Sequence, residues 1–363
     1  MNLGADFEHG WLELALIAEL SPRQAHLLVR HFGSPSAVLG ASEDALVAAG
    51  ASAQVAAAIR GAGRRALPEL ERVRALGGRI VLRDADDYPR LLGEIPDPPL
   101  ALTLRGSLDG APCVAVVGAR RASEYGRRVA FEIARDLARA GLTVVSGLAT
   151  GIDAAAHRGA LEAGGRTIAV LGTGIDVVYP SWHRELAAAV GAQGALVTEF
   201  ACGMPPLRFN FPRRNRVISG LSHGTVVVEA TEDSGSLLTA AHANEQGRAV
   251  FAVPGRLGSA LHHGPHRLIR EGARLVRGAE DVLEELAPQL GTVLAERRAA
   301  AAMAGLSAGE RSLLAAIAQE GLHVDEVIAR AAVPAEQALE TLLALELRGL
   351  VRQLPGKRFR RAA

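Results

Sequence analysis

Between residues 113 and 255 six apolar runs recur, "CVAVVGA", "LTVVSG", "TIAVLGTG", "ALVTEF", "TVVVEA" and "AVFAVPG". Each leads into a glycine-containing loop and an amphipathic helical pattern. Strands this uniformly apolar have no solvent face, so both sides of their sheet are covered, and strand–helix alternation makes them parallel. The expectation is an α/β fold, a Rossmann-like doubly wound, mostly parallel sheet. Ligands of such sheets bind at the carboxyl edge of the strands, which is where the unusual loops of this chain fall.

The flanks follow other rhythms. Residues 11 to 60 alternate short apolar-periodic helices with Ser, Pro and Gly breakers, the pattern of a small helical bundle. The stretch after it holds a helix, a short strand and a proline-rich crossing segment. Past residue 287 the strand–helix alternation stops in a partly helical linker. Three short helices and two strands around Pro355-Gly356 then make a winged-helix pattern. The division read from these changes is 1–65 helical domain, 66–290 sheet domain, 291–308 linker and 309–363 winged helix.

Composition excludes more than it assigns. The 363 residues carry a net charge of +1, so only local clustering can announce a polyanion. The basic residues are 39 arginines and a single lysine, Lys357, as a GC-rich genome gives, so arginine counts alone prove little. Cys113 and Cys202 lie far apart outside any paired motif, which suits a reducing compartment. The N-terminus lacks a signal pattern and no apolar run approaches 18 residues, so a cytoplasmic protein without membrane contact is expected.

The loops at the strand ends share one chemistry. After the first run comes "GARRASEYGRR", which lacks a dinucleotide fingerprint but offers Gly118 for close approach, Arg120 and Arg121 as donors, and a helix N-terminus. Taken alone, a solvated arginine pair explains that loop equally well. "SGLATGID" places Ser146, Gly147 and Gly151 where amides point at an anion ahead of a helix. Tight turning competes as the reason for its glycines. "FPRRNRVISGLS" sets Arg213, Arg214, Asn215 and Arg216 before an apolar core, with Phe209 and Phe211 beside them, and "EDSGSLLTA" adds Ser234, Gly235 and Ser236. In a parallel sheet these four loops converge into one cleft. Arginines, glycine amides and an aromatic ring together suit single-stranded nucleic acid, with phosphates on the donors and a base stacked on Phe211. Core packing is the competing use of both phenylalanines, and more so of Phe209.

At these residues the chain resembles the DNA-processing protein A family, DprA or Smf. Seven segments match in order, from "VAVVGAR" and "VVSGLATGIDAAAH" through "FPRRNRVISGLS" and "VVVEATEDSGSLLTA" to "GRAVFAVPG" and "HRLIREGA". The resemblance implies an extended Rossmann-like domain that binds single-stranded DNA, dimerises and helps load the RecA recombinase during natural transformation. It implies also a small N-terminal domain of the SAM or helix-hairpin-helix kind. It points to Gly118, Arg120, Ser146, Gly147, Arg208, Phe211, Arg214, Asn215 and Arg216 as DNA contacts. The N-terminal helices lack the glycine–hydrophobic–glycine hairpin of a DNA-binding pair, and basic charge in the winged helix gathers late, at Arg352, Lys357, Arg358, Arg360 and Arg361.

Enzymatic signals are weaker. "GLSHG" spells a nucleophile elbow, but Ser222 follows a helix and precedes a strand, the reverse of what the elbow needs. Asp153 and His157 stand four apart as an acid–base pair would, although anchoring hydrogen bonds explain them better. His262, His263 and His266 lack a fourth ligand at a zinc spacing. No catalytic residue, metal or cofactor is therefore expected. The competing class is a nucleotide-cleaving phosphoribohydrolase-like enzyme in the same cleft, with Glu229 and Glu232 as its candidates. For self-association, His266, Leu268, Ile269 and Leu275 form a short group that seeds a dimer if exposed and is ordinary packing if buried.

Overall fold

The structure is a computed structural model describing residues 9–62, 65–304, 306–317, 321–331, 333–347 and 350–361. The chain divides into two compact units, 1–288 and 289–363.

The first unit opens with five short helices: α1 (Gly10–Ala15), α2 (Pro22–Phe32), α3 (Pro35–Gly40), α4 (Glu43–Ala48) and α5 (Ala53–Arg60). The breakers between them are caps. Ser21, Ser34, Ser42 and Ser52 each accept a backbone N–H of the helix that follows, and Pro22 and Pro35 sit at first-turn positions that need no donor. Trp11, Leu14, Leu28, Val38, Leu46 and Ile59 form the shared core of the bundle.

Helix α6 (Ala66–Ala75), β1 (Arg79–Leu82), α7 (Arg90–Gly93) and β2 (Ala101–Gly106) lead into the sheet. There β3 (Cys113–Val117), β4 (Thr143–Ser146), β5 (Thr167–Val170), β6 (Ala195–Thr198), β7 (Gly224–Val227) and β8 (Ala249–Ala252) are the six expected strands. A short β9 (Arg274–Leu275) completes nine in the order β1-β2-β6-β5-β4-β3-β7-β8-β9. All pairings from β6 to β9 are parallel, whereas β1 and β2 extend the sheet antiparallel beyond β6. The doubly wound, mostly parallel sheet is thus present, with an antiparallel edge that the apolar-run pattern did not reveal.

Helices α8 (Glu124–Arg139), α9 (Ile152–Glu162), α10 (Arg184–Gln193), α11 (Asn210–Gly220), α12 (Gly235–Glu245) and α13 (Ala260–Arg270) connect the strands. Alternate residues of each strand feed two cores. Ala169 and Leu196 pack with Leu186 and Val190 of α10, while Ile168, Val170 and Val197 pack with Val217 and Ile218 of α11. The strand order reverses at β3: β4, β5 and β6 lie to one side of it, β7 and β8 to the other. Loops leaving β3 and β7 at their carboxyl ends therefore part to opposite faces, opening a crevice between them.

Helix α14 (Ala279–Ala304) runs through the segment read as a linker. The second unit holds α15 (Ala308–Ala316), β10 (Leu322–His323), α16 (Val324–Ala331), α17 (Ala335–Leu347), β11 (Val351–Leu354) and β12 (Arg358–Arg361), the winged-helix pattern. Ser307 and Glu310 form a reciprocal capping box on α15, and Leu313, Val327, Leu342 and Phe359 meet in its core. Part of the late basic charge is tied inward, since Arg358 donates to Gly321 O at 2.8 Å and Arg361 to Leu314 O at 3.0 Å.

Candidate nucleic-acid interface

The cleft is organised by α11, whose residues advance about 100° each. Phe211, Arg214, Asn215 and Ile218, spaced i, i+3, i+4 and i+7, share one face and line a crevice of about 810 Å³ at the carboxyl edge of the sheet. Arg213 and Arg216 fall on the opposite face. The buried Arg216 pairs with Glu199 at 2.5 Å and Asp97 at 3.0 Å, and Arg213 pairs with Glu199 at 3.5 Å over the Phe200 ring. The expectation that consecutive arginines face one ligand is corrected here by helical geometry, because a run of basic letters is split between a ligand face and an internal ion-pair face.

Arg214 itself is buried and spans two strand ends. Its Nη1 donates to Gly147 O at 2.8 Å after β4 and to Val170 O at the end of β5, and its Nε donates to Asn215 Oδ1 at 3.2 Å. This explains Gly147: a Cβ there would lie 2.6–2.8 Å from three guanidinium atoms. Burial lowers the Arg214 guanidinium to about 10, against the opposing pull of the Asp153 carboxylate. Phe211 rests on Gly172, where a Cβ would meet the ring at 2.8 Å, and carries the guanidiniums of Arg120 and Arg214 at 5.1 and 6.0 Å from its centroid. Phe209, read as the more core-like of the pair, is 68% exposed, because it caps α11 from outside rather than riding its buried face.

Two of the helix N-termini expected to receive an anion already hold one from the protein. Glu229, following β7, accepts from Ser123 N at 2.9 Å and Ser123 Oγ at 2.5 Å at the start of α8. Asp153 accepts from Gly147 N at 3.2 Å and Ala149 N at 3.3 Å at the start of α9. Ser146 is buried and donates to Val116 O at 2.7 Å, so it too faces inward. Gly118 serves packing, since a Cβ would approach Ile152 to 2.6 Å and Glu229 O to 2.8 Å. The Ser146 hydroxyl and the Gly147 amide are thus corrected from ligand groups to fold groups. The start of α12 differs: Ser234, Gly235 and Ser236 line the cleft, tied to α11 where Asn215 Nδ2 donates to Gly235 O at 3.0 Å.

The crevice is open, and Arg120, Arg121 and Arg208 stand exposed around it. Among the described residues no carboxylate forms an ion pair with any of the three. Ten of the residues picked from the loops line this one space: Gly118, Arg120, Arg121, Arg208, Phe211, Arg214, Asn215, Ser234, Gly235 and Ser236. Two further aromatic residues, absent from the loop motifs, belong to the site. Tyr179 lines the same cleft, and Trp182, 73% exposed, stands beside it on the 3-10 turn Ser181–His183.

The matched family descriptions agree with this architecture. The DNA recombination-mediator protein A family matches residues 79–287, and the DprA winged helix domain matches residues 297–357. The chain belongs to the DNA recombination-mediator protein A family. Protein Smf of Escherichia coli is 44% identical over 297 residues, 78% of each chain. The solved structure of DNA processing protein A (DprA) from Streptococcus pneumoniae superposes with a TM-score of 0.67 at 36% identity, covering 77% of this chain and 97% of that one. DNA processing protein A from Helicobacter pylori, solved to describe its single-stranded DNA binding mode, gives a TM-score of 0.53 at 26% identity, covering 58% of this chain and 96% of that one.

In this DprA-family chain the residues considered for chemistry take structural places. Ser222 lies between α11 and β7 and donates to Ile218 O at 2.9 Å. Asp153 and His157 engage different partners. The Thr167 hydroxyl donates to Val144 O at 2.7 Å, so toward His157 it accepts, and Nδ1 at 2.7 Å carries the imidazole proton. Burial, with the nearby His183 and Arg214, pushes this imidazole down to about 3. The unfolded chain takes up the second imidazole proton near pH 6.5 and the folded one only near 3. Its contribution is therefore constant above pH 6.5 and lost as pH falls, at about 1.4 kcal/mol per pH unit. Melting temperatures between pH 7 and 4 are expected to fall more steeply for the native chain than for His157→Gln; equal slopes contradict this assignment.

The group read for self-association is divided. Leu268 is buried in the main core with Ile269 packed against it, His266 Nε2 lies 3.1 Å from Gly255 O, and Leu275 is 48% exposed. Leu268 therefore belongs to packing rather than to a surface patch. Among the described residues, no helix is long and apolar enough to cross a membrane.

Proposed function

We propose that this chain binds single-stranded DNA in the cleft and, as a homodimer, passes it to the RecA recombinase during natural transformation. The observation that carries the reading is the ring of exposed guanidiniums, Arg120, Arg121 and Arg208, around an open crevice with an aromatic wall. Arginines without a carboxylate partner hold backbone phosphates, and an aromatic wall takes bases only from a strand whose faces are free. The Helicobacter pylori relative, whose solved structure concerns its single-stranded DNA binding mode, supports the same choice. Of the two candidate acids of a nucleotide-cleaving alternative, Glu229 is fully buried and engaged by Ser123, and Glu232 is exposed beside His263 rather than in the cleft lining, which favours binding over cleavage.

A gel-shift comparison of labelled single strand, duplex and free nucleotides, with product analysis of the nucleotide sample, tests this. Single strand is expected to shift at lower protein concentration than duplex, with the nucleotides intact. Preferential duplex binding, or release of a nucleobase, contradicts it. Stimulation of RecA filament growth on coated single strands tests the later step.

A further inference from the structure

Beside the main crevice lies a smaller cavity of about 150 Å³, walled by Arg120, Gly147, Tyr179, Trp182, Phe211 and Arg214. It shares Arg120, Tyr179, Phe211 and Arg214 with the larger space, so the two are continuous along one wall. Phe211 is not its free ring, since Gly172, Arg120 and Arg214 already occupy it and Tyr179 lies 5.7 Å away at 43°. Trp182 is different. Its indole is 73% exposed, an unusual cost for a large aromatic side chain, and it is held in place from behind. His183 next to it is buried, donates through Nδ1 to Leu148 O at 2.9 Å and meets the indole edge-on at 80°. The turn that carries Trp182 is thereby anchored to the loop after β4, and the indole is positioned rather than loose.

We infer that this cavity is a subsite for one nucleobase, stacked on the Trp182 indole with Tyr179 beside it, while Arg120 takes the phosphate that links it to the strand in the main cleft. A flat wall, a guanidinium at the rim and room for one ring system are what an unpaired base requires. The inference rests on the single-strand reading above and assigns the stacking platform to Trp182 rather than to Phe211.

The chain provides its own probe. Its two tryptophans are Trp11 and Trp182, and Trp11 is buried at 8% exposure in the helical bundle. Titration with oligothymidylate is expected to quench Trp182 emission, and an oligonucleotide of equal length whose sites are abasic is expected to bind without quenching. Trp182→Ala should weaken oligothymidylate binding about five- to hundredfold, and Trp182→Phe should restore most of that loss. The side chain is exposed, so circular dichroism should match across the variants. If the strand binds while Trp182 emission stays unchanged and Trp182→Ala binds as the native chain does, the base subsite is overturned and the cleft reading stands. If the native chain binds no single strand at all, the cleft reading fails first.

Discussion

Replacing Arg214 with alanine is expected to destabilise the sheet unit by about 3–5 kcal/mol, because a buried charge partner is removed and its counterpart left behind. The guanidinium satisfies carbonyls at the ends of two strands, Gly147 O and Val170 O, and lies near the buried Asp153. Burial already pushes the Asp153 carboxyl above its ordinary range, with Arg214 the main influence acting against that shift. Without the cation this carboxylate keeps only its hydrogen-bond donors. A melting temperature lower by on the order of 10 °C is the expected readout for a unit of this size. Arg214→Lys should recover part of the loss, since a lysine supplies charge without a planar fork. Wild-type melting combined with weakened DNA binding would show instead that the guanidinium is free to serve the ligand.

The converse holds at the rim. Arg120, Arg121 and Arg208 are exposed and, among the described residues, have no acidic ion-pair partner, so their joint replacement by alanine should leave the melting temperature within about 1–2 °C of native. Single-strand affinity should nevertheless fall on the order of 10²–10³-fold at low salt, from the loss of three solvent-screened contacts of about 1–1.5 kcal/mol each. The loss should be uniform across base sequences, because phosphate contacts position a strand without reading it. A stable triple variant that binds as tightly as the native chain would move the binding surface elsewhere.

These two expectations separate what was legible in the sequence from what was not. Apolar runs buried on both faces need no partner information, so the six central strands and the edge where their loops gather could be read directly; Val114, Val144 and Val226 are fully buried. The antiparallel β2 was missed because its "ALTLRG" sits among prolines and glycines and takes its identity from pairing with β6. Within the site, "PRRNR" looked like one basic patch until the turn of α11 sorted its members: Arg214 toward the cleft, Arg213 and Arg216 toward Glu199. The inward role of Ser123 was hidden for another reason, since its partner Glu229 lies 106 residues away along the chain. Trp182 stands two residues after Pro180 in a segment without periodicity, and nothing local tells an exposed platform from a buried anchor.

The central claim is that exposed guanidiniums around one crevice neutralise the phosphates of a flexible strand, and salt dependence measures this most directly. The logarithm of the single-strand association constant falls against the logarithm of salt concentration with a slope near −0.7 per phosphate neutralised. The Arg120→Ala, Arg121→Ala, Arg208→Ala triple variant is therefore expected to show a slope about 2 shallower than the native chain. Identical slopes for the two proteins would place the phosphate contacts outside this cleft and contradict the account.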